Sequence, residues 1–323
     1  MTHPFRFGVQ SYRVESAQEW RDRARRIEEL GYSTLHVSDH YLGPGPMLDP
    51  TGHRPQTIAL IPAMAVAAEA TSTLRIGSRM MCAGYHQPVV LAKQAASLDF
   101  FSDGRLELGL GAGWLNKEYE AMGLPFPSPG ERISLLREVV ELLRQSFGDG
   151  LVEVHGKHVR VHGFEALPKP VQKSGPPIMI GGGAPRILRM AGELADIVSI
   201  NFNNRSGAVG GDSIATSGAG ETAQKLAWIR EGAGDRFDDL ELEIAAYFVA
   251  VTGRSELDAS GVAARVGMPA GELKTFPHAL VGDVDEICAE LERRREVYGI
   301  SYITVGDAHL ESFAPVVEKL AGR

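Results

Sequence analysis

The residues most able to do chemistry come in short groups, each directly after an apolar run. Asp39-His40 follows residues 33–37. Met80, Met81 and Cys82 close residues 74–81 and begin what comes after. Gly111-Ala112-Gly113-Trp114 follows residues 105–110, Gly181-Gly182-Gly183 follows residues 177–180, and Asn201-Phe202-Asn203 follows residues 196–200. The set is aromatic, glycine-rich and modestly polar. It lacks the carboxylate cluster of a hard-metal site and the GxSxG elbow of a serine hydrolase. A flat aromatic cofactor asks for such a lining: apolar walls, bare backbone for close approach, and a grip for an anionic arm.

Three glycines in a row remove every Cβ from one patch of backbone. Pro185 suits the first helical position, where its missing N–H costs nothing, and Arg186 adds a guanidinium. The stretch reads either as a tight strand-to-helix turn or as a helix N-terminus that takes a phosphate. His40 either serves a cofactor oxygen or a proton transfer, or it caps a strand end beside Asp39. Trp114 either stacks on a ring or closes the top of the fold. Cys82 reads as a small buried hydrophobe rather than a nucleophile. Glu118-Tyr119 reads as polarity at a helix start. His155, His158 and His162 alternate on one stretch and read as a solvated strand face in preference to a metal site, so no metal is expected.

The elements that must position these groups show in the periodicity. Short apolar runs alternate with amphipathic stretches along nearly the whole chain. Strands are expected at 5–10, 33–37, 74–81, 105–110, 177–180, 196–200, 241–251 and 302–305. Helices are expected at 18–30, 57–70, 88–101, 128–147, after the three glycines, and at 222–232, 283–298 and 310–320. Residues 153–161 alternate around Gly156 and predict a β-hairpin outside this rhythm. Residues 201–220 read as a long loop and 255–276 as an inserted, mostly helical excursion. Eight β–α units with no disordered linker predict a single-domain (β/α)8 TIM barrel over residues 1–323, with insertions after strands four, six and seven. An open doubly wound sheet would carry GxGxxG after its first strand. Here that strand runs into Gln10-Ser11-Tyr12, and the glycines after strand four end in Trp114.

Composition narrows the partners. The 323 residues are 44% hydrophobic and 23% charged, with a formal net charge of −8, so a nucleic-acid partner is not expected. The 2 cysteines stand far apart and exclude a disulfide framework. The most apolar helix, 57–70, contains Pro62 and Glu69, so no membrane span is expected. The first residues carry no signal-peptide pattern, and a cytoplasmic protein is expected.

Several stretches together resemble the bacterial luciferase-like superfamily, in particular its deazaflavin-dependent oxidoreductases. They are VSDHY (37–41), HQPVVLAKQAASLDFFSDGRLELGLGAGWLNKEYEAMG (86–123), ERISLLREVVELLR (131–144), LPKPVQKSGPPIMIGGG (167–183) and ADIVSI (195–200). The resemblance implies a barrel that binds coenzyme F420, or alternatively FMN, at its C-terminal mouth. It also implies a non-prolyl cis peptide between Ser78 and Cys82. Gly181, Gly182 and Gly183 would hold the cofactor's phosphate, complemented by Arg186. Asp39, His40, Met80, Met81, Cys82, Gly111, Ala112 and Gly113 would line the ring.

Asp39-His40 matches the histidine position that the superfamily's glucose-6-phosphate dehydrogenases use. Those enzymes also place a proton-donating Glu after the strand-four glycines. Trp114 stands there in this chain, which argues against sugar-phosphate dehydrogenase activity. The expected activity is hydride transfer between F420 and a small organic substrate, with His40 and Trp114 at the chemistry. Alternatives are an FMN monooxygenase served by a partner reductase, and a non-catalytic flavin carrier or sensor. By composition, loops 206–220 and 255–276 read either as a lid over the ring or as solvent-exposed decoration, and a homodimer is expected.

Overall fold

The apolar runs become strands that are buried along nearly their whole length. In the computed structural model, which describes residues 3–251 and 269–323, these are β1 (Arg6–Ser11), β2 (Thr34–Val37), β3 (Arg75–Ser78), β4 (Met81–Cys82), β5 (Leu106–Gly111), β8 (Ile178–Gly182), β9 (Ile197–Ile200), β10 (Glu241–Ala246) and β13 (Ile300–Gly306). Strands covered on both faces are expected to read as continuous hydrophobic runs, as these do. They hydrogen-bond in the order β3-β2-β1-β13-β10-β9-β8-β5-β4, and β3 also pairs with β5, which closes the sheet. The resolved pairings are parallel. β3 and β4 are two pieces of one strand, so the nine make an eight-stranded (β/α)8 barrel.

Between β3 and β4 lies a non-prolyl cis peptide, Arg79-Met80, inside the expected window. The backbone ladder lapses there and a side chain replaces it. Ser78 Oγ donates to the Gly109 carbonyl at 2.8 Å and accepts from the Gly109 N–H at 2.9 Å. A Cβ on Gly109 would collide with the Ser78 carbonyl, so glycine is required for this approach.

The chain divides into two compact units. The first comprises Met1–Ser11, Arg26–Leu35 and Gly182–Arg323. Its core holds Phe5, Phe7, Tyr302 and Phe313, and the rings of Phe7 and Phe313 meet edge-on at 5.9 Å. It contains α6 (Pro185–Leu194), α7 (Gly211–Ile214), α8 (Ala219–Ala233), α9 (Ala270–Leu273), α10 (Val284–Tyr298) and α11 (Leu310–Leu320). Asp283 and Glu286 form a capping box at the start of α10, and Gly299 ends it with φ 74°.

The second unit comprises Tyr12–Arg25 and His36–Gly181. It holds α2 (Leu60–Ala70), α3 (Pro88–Phe101), α4 (Asn116–Ala121) and α5 (Pro129–Phe147). Ser128 and Glu131 cap α5, which buries Leu136, Val139, Leu142 and Leu143. The predicted hairpin is β6 (Leu151–His155) and β7 (Arg160–Glu165), paired antiparallel and separate from the barrel sheet. α1 (Ala17–Glu29) crosses the boundary between the units.

Two expectations change, and a third lies mostly outside the described residues. The run 241–251 is not one strand. β10 stays in the barrel, whereas β11 (Phe248–Val251) pairs in parallel with β12 (Ala279–Gly282) in a separate sheet. Phe248, Ala250 and Val281 cover a small core of Phe202, Leu273, Phe276 and Ala279. Hydrophobicity continues across residue 247, so periodicity alone carries no sign of the change of sheet. The loop 201–220 contains the short α7, and α8 starts at Ala219 rather than at 222. Of the excursion 255–276, residues 255–268 lie outside the described residues, and α9 occupies 270–273.

Candidate active site

The polar groups after β2, β4 and β5 meet within the second unit. Asp39, just past β2, is buried. Its Oδ2 accepts from the Cys82 N–H at 2.9 Å and from His86 Nε2 at 2.7 Å. The carboxylate thus ties the end of β2 to β4. Its Oδ1 is buried and takes no hydrogen bond among the described residues.

His40 points to a partner that sequence reasoning assigned to helix-start polarity. Glu118, in α4, is fully buried. Its Oε2 accepts from His40 Nδ1 at 2.8 Å and from the Tyr85 hydroxyl at 2.9 Å. Its Oε1 accepts from the Tyr41 N–H at 2.5 Å and the Leu42 N–H at 3.2 Å. Burial alone would raise the pKa of this carboxyl, but the donors from His40, Tyr41 and Tyr85 outweigh it and hold the group below its ordinary range. An ionised carboxylate can only accept. His40 therefore carries its proton on Nδ1, and in the neutral ring Nε2 holds the lone pair.

Two more rings adjoin His40. The His53 ring lies 4.0 Å from it, centroid to centroid, and 5.8 Å from Trp114; Trp114 meets His40 edge-on at 6.1 Å. His53 Nδ1 donates to the Arg54 carbonyl at 2.7 Å, which fixes its tautomer. Burial, reinforced by the neighbouring His40, pushes the His53 pKa down to about 3. Of the two imidazoles, His40 is the one hydrogen-bonded to Glu118, whereas His53 bonds the Arg54 carbonyl.

The glycines after β5 are set by packing. Gly113 has φ 79°, and a Cβ there would stand 2.5 Å from the Tyr119 hydroxyl and 2.7 Å from Cys82 Sγ. Arg132 Nε of α5 donates to the Gly113 carbonyl at 3.2 Å and steadies the turn that carries Trp114. Cys82 Sγ lies 3.1 Å from the Tyr119 hydroxyl. Burial pushes the thiol up to about 12, so it is a neutral packing group as the sequence suggested. Met81 is buried opposite Leu110, whereas Met80 is half-buried, with its Cβ 3.3 Å from where a Cβ on Gly111 would stand. Ala112 is half-buried on the same turn.

The three-glycine segment has its own reasons. A Cβ on Gly182 would collide with the Ile187 side chain, and one on Gly183 with the carbonyls of Phe202 and Asn201. Close packing therefore requires two of the three glycines. Gly181 is buried at the end of β8. The residue before α6, Ala184, offers no side-chain cap, and Pro185 opens the helix with the exposed Arg186 beside it. Both readings of the segment thus have a basis: a tight packed turn, and a helix N-terminus without a side-chain cap.

Sequence reasoning placed Asp39, His40, Met80, Met81, Cys82, Gly113 and Trp114, and the second unit brings them together. It placed Tyr85 and His86 after strand three without giving them a role, read Glu118 as helix-start polarity, and missed His53. Glu118 is 78 residues from His40, and nothing in its local pattern separates it from an exposed helix-start acid. His53 lies in a loop without periodicity.

The family model of the luciferase-like monooxygenases matches residues 1–266. The chain belongs to that family. An F420-dependent glucose-6-phosphate dehydrogenase from Amycolatopsis mediterranei is 31% identical over 174 residues, covering 54% of this chain and 50% of the relative. The chain thus spans about half the length of the curated relatives it matches. Two solved structures share the barrel over nearly full length. They are the coenzyme F420 dependent tetrahydromethanopterin reductase from Methanopyrus kandleri (TM-score 0.76, 19% identity, 98% of each chain) and the monooxygenase RslO1 from Streptomyces bottropensis (TM-score 0.71, 21% identity, 97% and 96%). At these identities the likeness is one of fold.

Proposed function

We propose that this family member is an F420-dependent oxidoreductase acting on a small organic molecule. The observation that carries the reading is the buried Glu118–His40 pair, which readies one imidazole nitrogen for proton transfer beside a tryptophan. Its relatives named for F420-dependent dehydrogenase and reductase activities point the same way. The residues suit the cofactor on two counts. Among the described residues Asp39 Oδ1 is a buried acceptor without a hydrogen-bond donor, which a ring N–H could supply. The α6 N-terminus, without a side-chain cap and next to Arg186, suits a phosphate.

When bound, oxidised F420 would accept a hydride from the substrate carbon, and reduced F420 would give one back in the reverse direction; the protein supplies orientation and proton management. Glu118 keeps the proton on His40 Nδ1. His40 Nε2 then takes a proton from a substrate hydroxyl, or returns it in the reverse direction. The neutral His53 and Trp114 flank the ring and limit water. Cys82 takes no part, because its thiol stays protonated.

A second reading, an FMN monooxygenase with a partner reductase, is favoured by the family's name and the fold of RslO1. Fluorescence titration of the purified protein with F420 and with FMN separates the two. Tighter binding of F420, with no oxygen uptake after its reduction, supports the proposal. Preference for FMN with oxygen uptake overturns it. A His40→Ala variant that binds F420 normally and loses turnover excludes a mere carrier or sensor.

No helix among the described residues is long and apolar enough to cross a membrane. We further propose a cytoplasmic protein with no nucleic-acid partner. A homodimer is also proposed, supported by the exposed Val90, Phe100 and Phe101 on α3 and checked by light scattering.

A further inference from the structure

The β6–β7 hairpin carries a cluster that the proposed reaction does not use. Alternation along β6 buries Val152 and Val154 and turns Glu153 and His155 outward on one face. The register pairs Val152 with Phe164 and Val154 with Val161, so His162 and Gly163 together oppose Glu153. Gly163 is the extra residue, with φ 50°, and a Cβ on it would stand 3.2 Å from Glu153 Oε1. The bulge therefore leaves room for the carboxylate next to His162. His155 Nε2 lies 3.1 Å from Glu153 Oε2, and the rings of His155 and His162 are 5.7 Å apart. One ligand atom from each of Glu153, His155 and His162 lies within 4.8 Å of the others. His158, the third histidine of the sequence pattern, is held apart: its backbone N–H donates to Glu138 Oε2 at 2.6 Å in the hairpin turn.

We propose that Glu153, His155 and His162 form a surface site for a divalent transition-metal ion of the zinc class. Zinc binds imidazole nitrogen and carboxylate oxygen at roughly 2.0–2.2 Å, which puts tetrahedral ligands roughly 3.3 Å from one another. The Glu153–His155 pair already meets that spacing. All three side chains are exposed, so small rotations bring in His162 without disturbing packing. Two imidazoles with one carboxylate suit zinc, nickel or copper, whereas calcium and magnesium prefer all-oxygen sets. Three protein ligands leave a fourth position for water. The ion ties β6 to β7 across one rung, and the site is independent of the barrel chemistry.

The test is calorimetric titration of the chelator-stripped full chain with zinc ions. The same titration is run on a His155→Asn/His162→Asn double variant and on Glu153→Gln, with circular dichroism confirming that each is folded. The expected result is one ion per chain, no binding in the double variant, and binding weakened roughly tenfold or more by Glu153→Gln. Zinc should also raise the thermal midpoint of the wild type and leave that of the double variant unchanged. Absence of binding to the wild type, or full binding in either variant, overturns the site.

Discussion

Replacing Glu118 by Gln tests the centre of the proposed chemistry without needing the substrate. Gln has nearly the same shape, so packing is kept. Its one oxygen can still accept from the Tyr41 and Leu42 N–H groups. Its amide NH2 then faces His40 Nδ1 and the Tyr85 hydroxyl, both of which donate to Glu118 in the wild type. Hydrogen bonds to a charged group are worth about 1.5–3 kcal/mol each and neutral ones about 0.5–1.5; two of the former give way to neutral ones, while relief from burying a charge offsets part of the difference. A net destabilisation of about 1–2 kcal/mol follows, read as a shift in denaturant midpoint.

The same change acts on the tautomer. With an amide donor opposite Nδ1, the His40 proton moves to Nε2 and the lone pair needed there is gone. Proton-transfer catalysis is worth about 10²–10⁴-fold, so turnover should fall by that order. Long-range 15N–1H NMR of the imidazole reads the tautomer directly: Nδ1–H in the wild type, Nε2–H in the variant. The stability difference also has a sign in pH. The folded-state pKa of Glu118 lies below the ordinary value of 4.5, so its stabilisation is present above that value and is lost as pH falls through the folded pKa. Glu118→Gln has no such group, so the gap between the two proteins should close in acid. An unchanged His40 tautomer together with an unchanged midpoint would refute the reasoning.

Two further outcomes follow from packing and burial. Gly183→Ala puts a methyl against the carbonyls of Phe202 and Asn201 and should cost about 2 kcal/mol or more in unfolding free energy; a midpoint equal to wild type would show that the segment is not tightly packed. Lys225 is buried, donating to the Asn201 carbonyl at 2.7 Å and to Ser217 Oγ at 2.5 Å. Burial lowers its pKa from 10.5 to about 8, so in that interval the unfolded chain binds more protons than the folded one. Stability measured relative to Lys225→Met should therefore rise between those values by up to about 3 kcal/mol, and a flat difference would count against the burial argument.

The barrel was legible because its strands are contiguous apolar runs and its helices carry full-length stripes. Residues 88–101 and 310–320 form helices with the expected bounds, since Pro88 marks a start and the apolar period runs to each end. The run 241–251 shows where such reading stops. Apolar residues run on from Ile244 to Val251 with only Tyr247 between the two strands, and which sheet each joins depends on β12, some thirty residues beyond β11 in the chain.

What the sequence by itself determined is the β–α order, the residues that follow each strand, and hence Asp39, His40, Cys82, Gly113 and Trp114 as site candidates. Local periodicity and glycine placement are short-range properties, and they survive in a bare string of letters. Only the tertiary structure decided that Glu118 reaches His40, that His53 adjoins the same ring, and that Ser78 replaces a rung of the ladder beside Gly109. It also decided that Gly182 and Gly183 answer to Ile187 and to the Asn201 and Phe202 carbonyls. These depend on atoms brought within hydrogen-bond or van der Waals range by strand pairing and burial, between positions whose separation in sequence carries no trace of the contact.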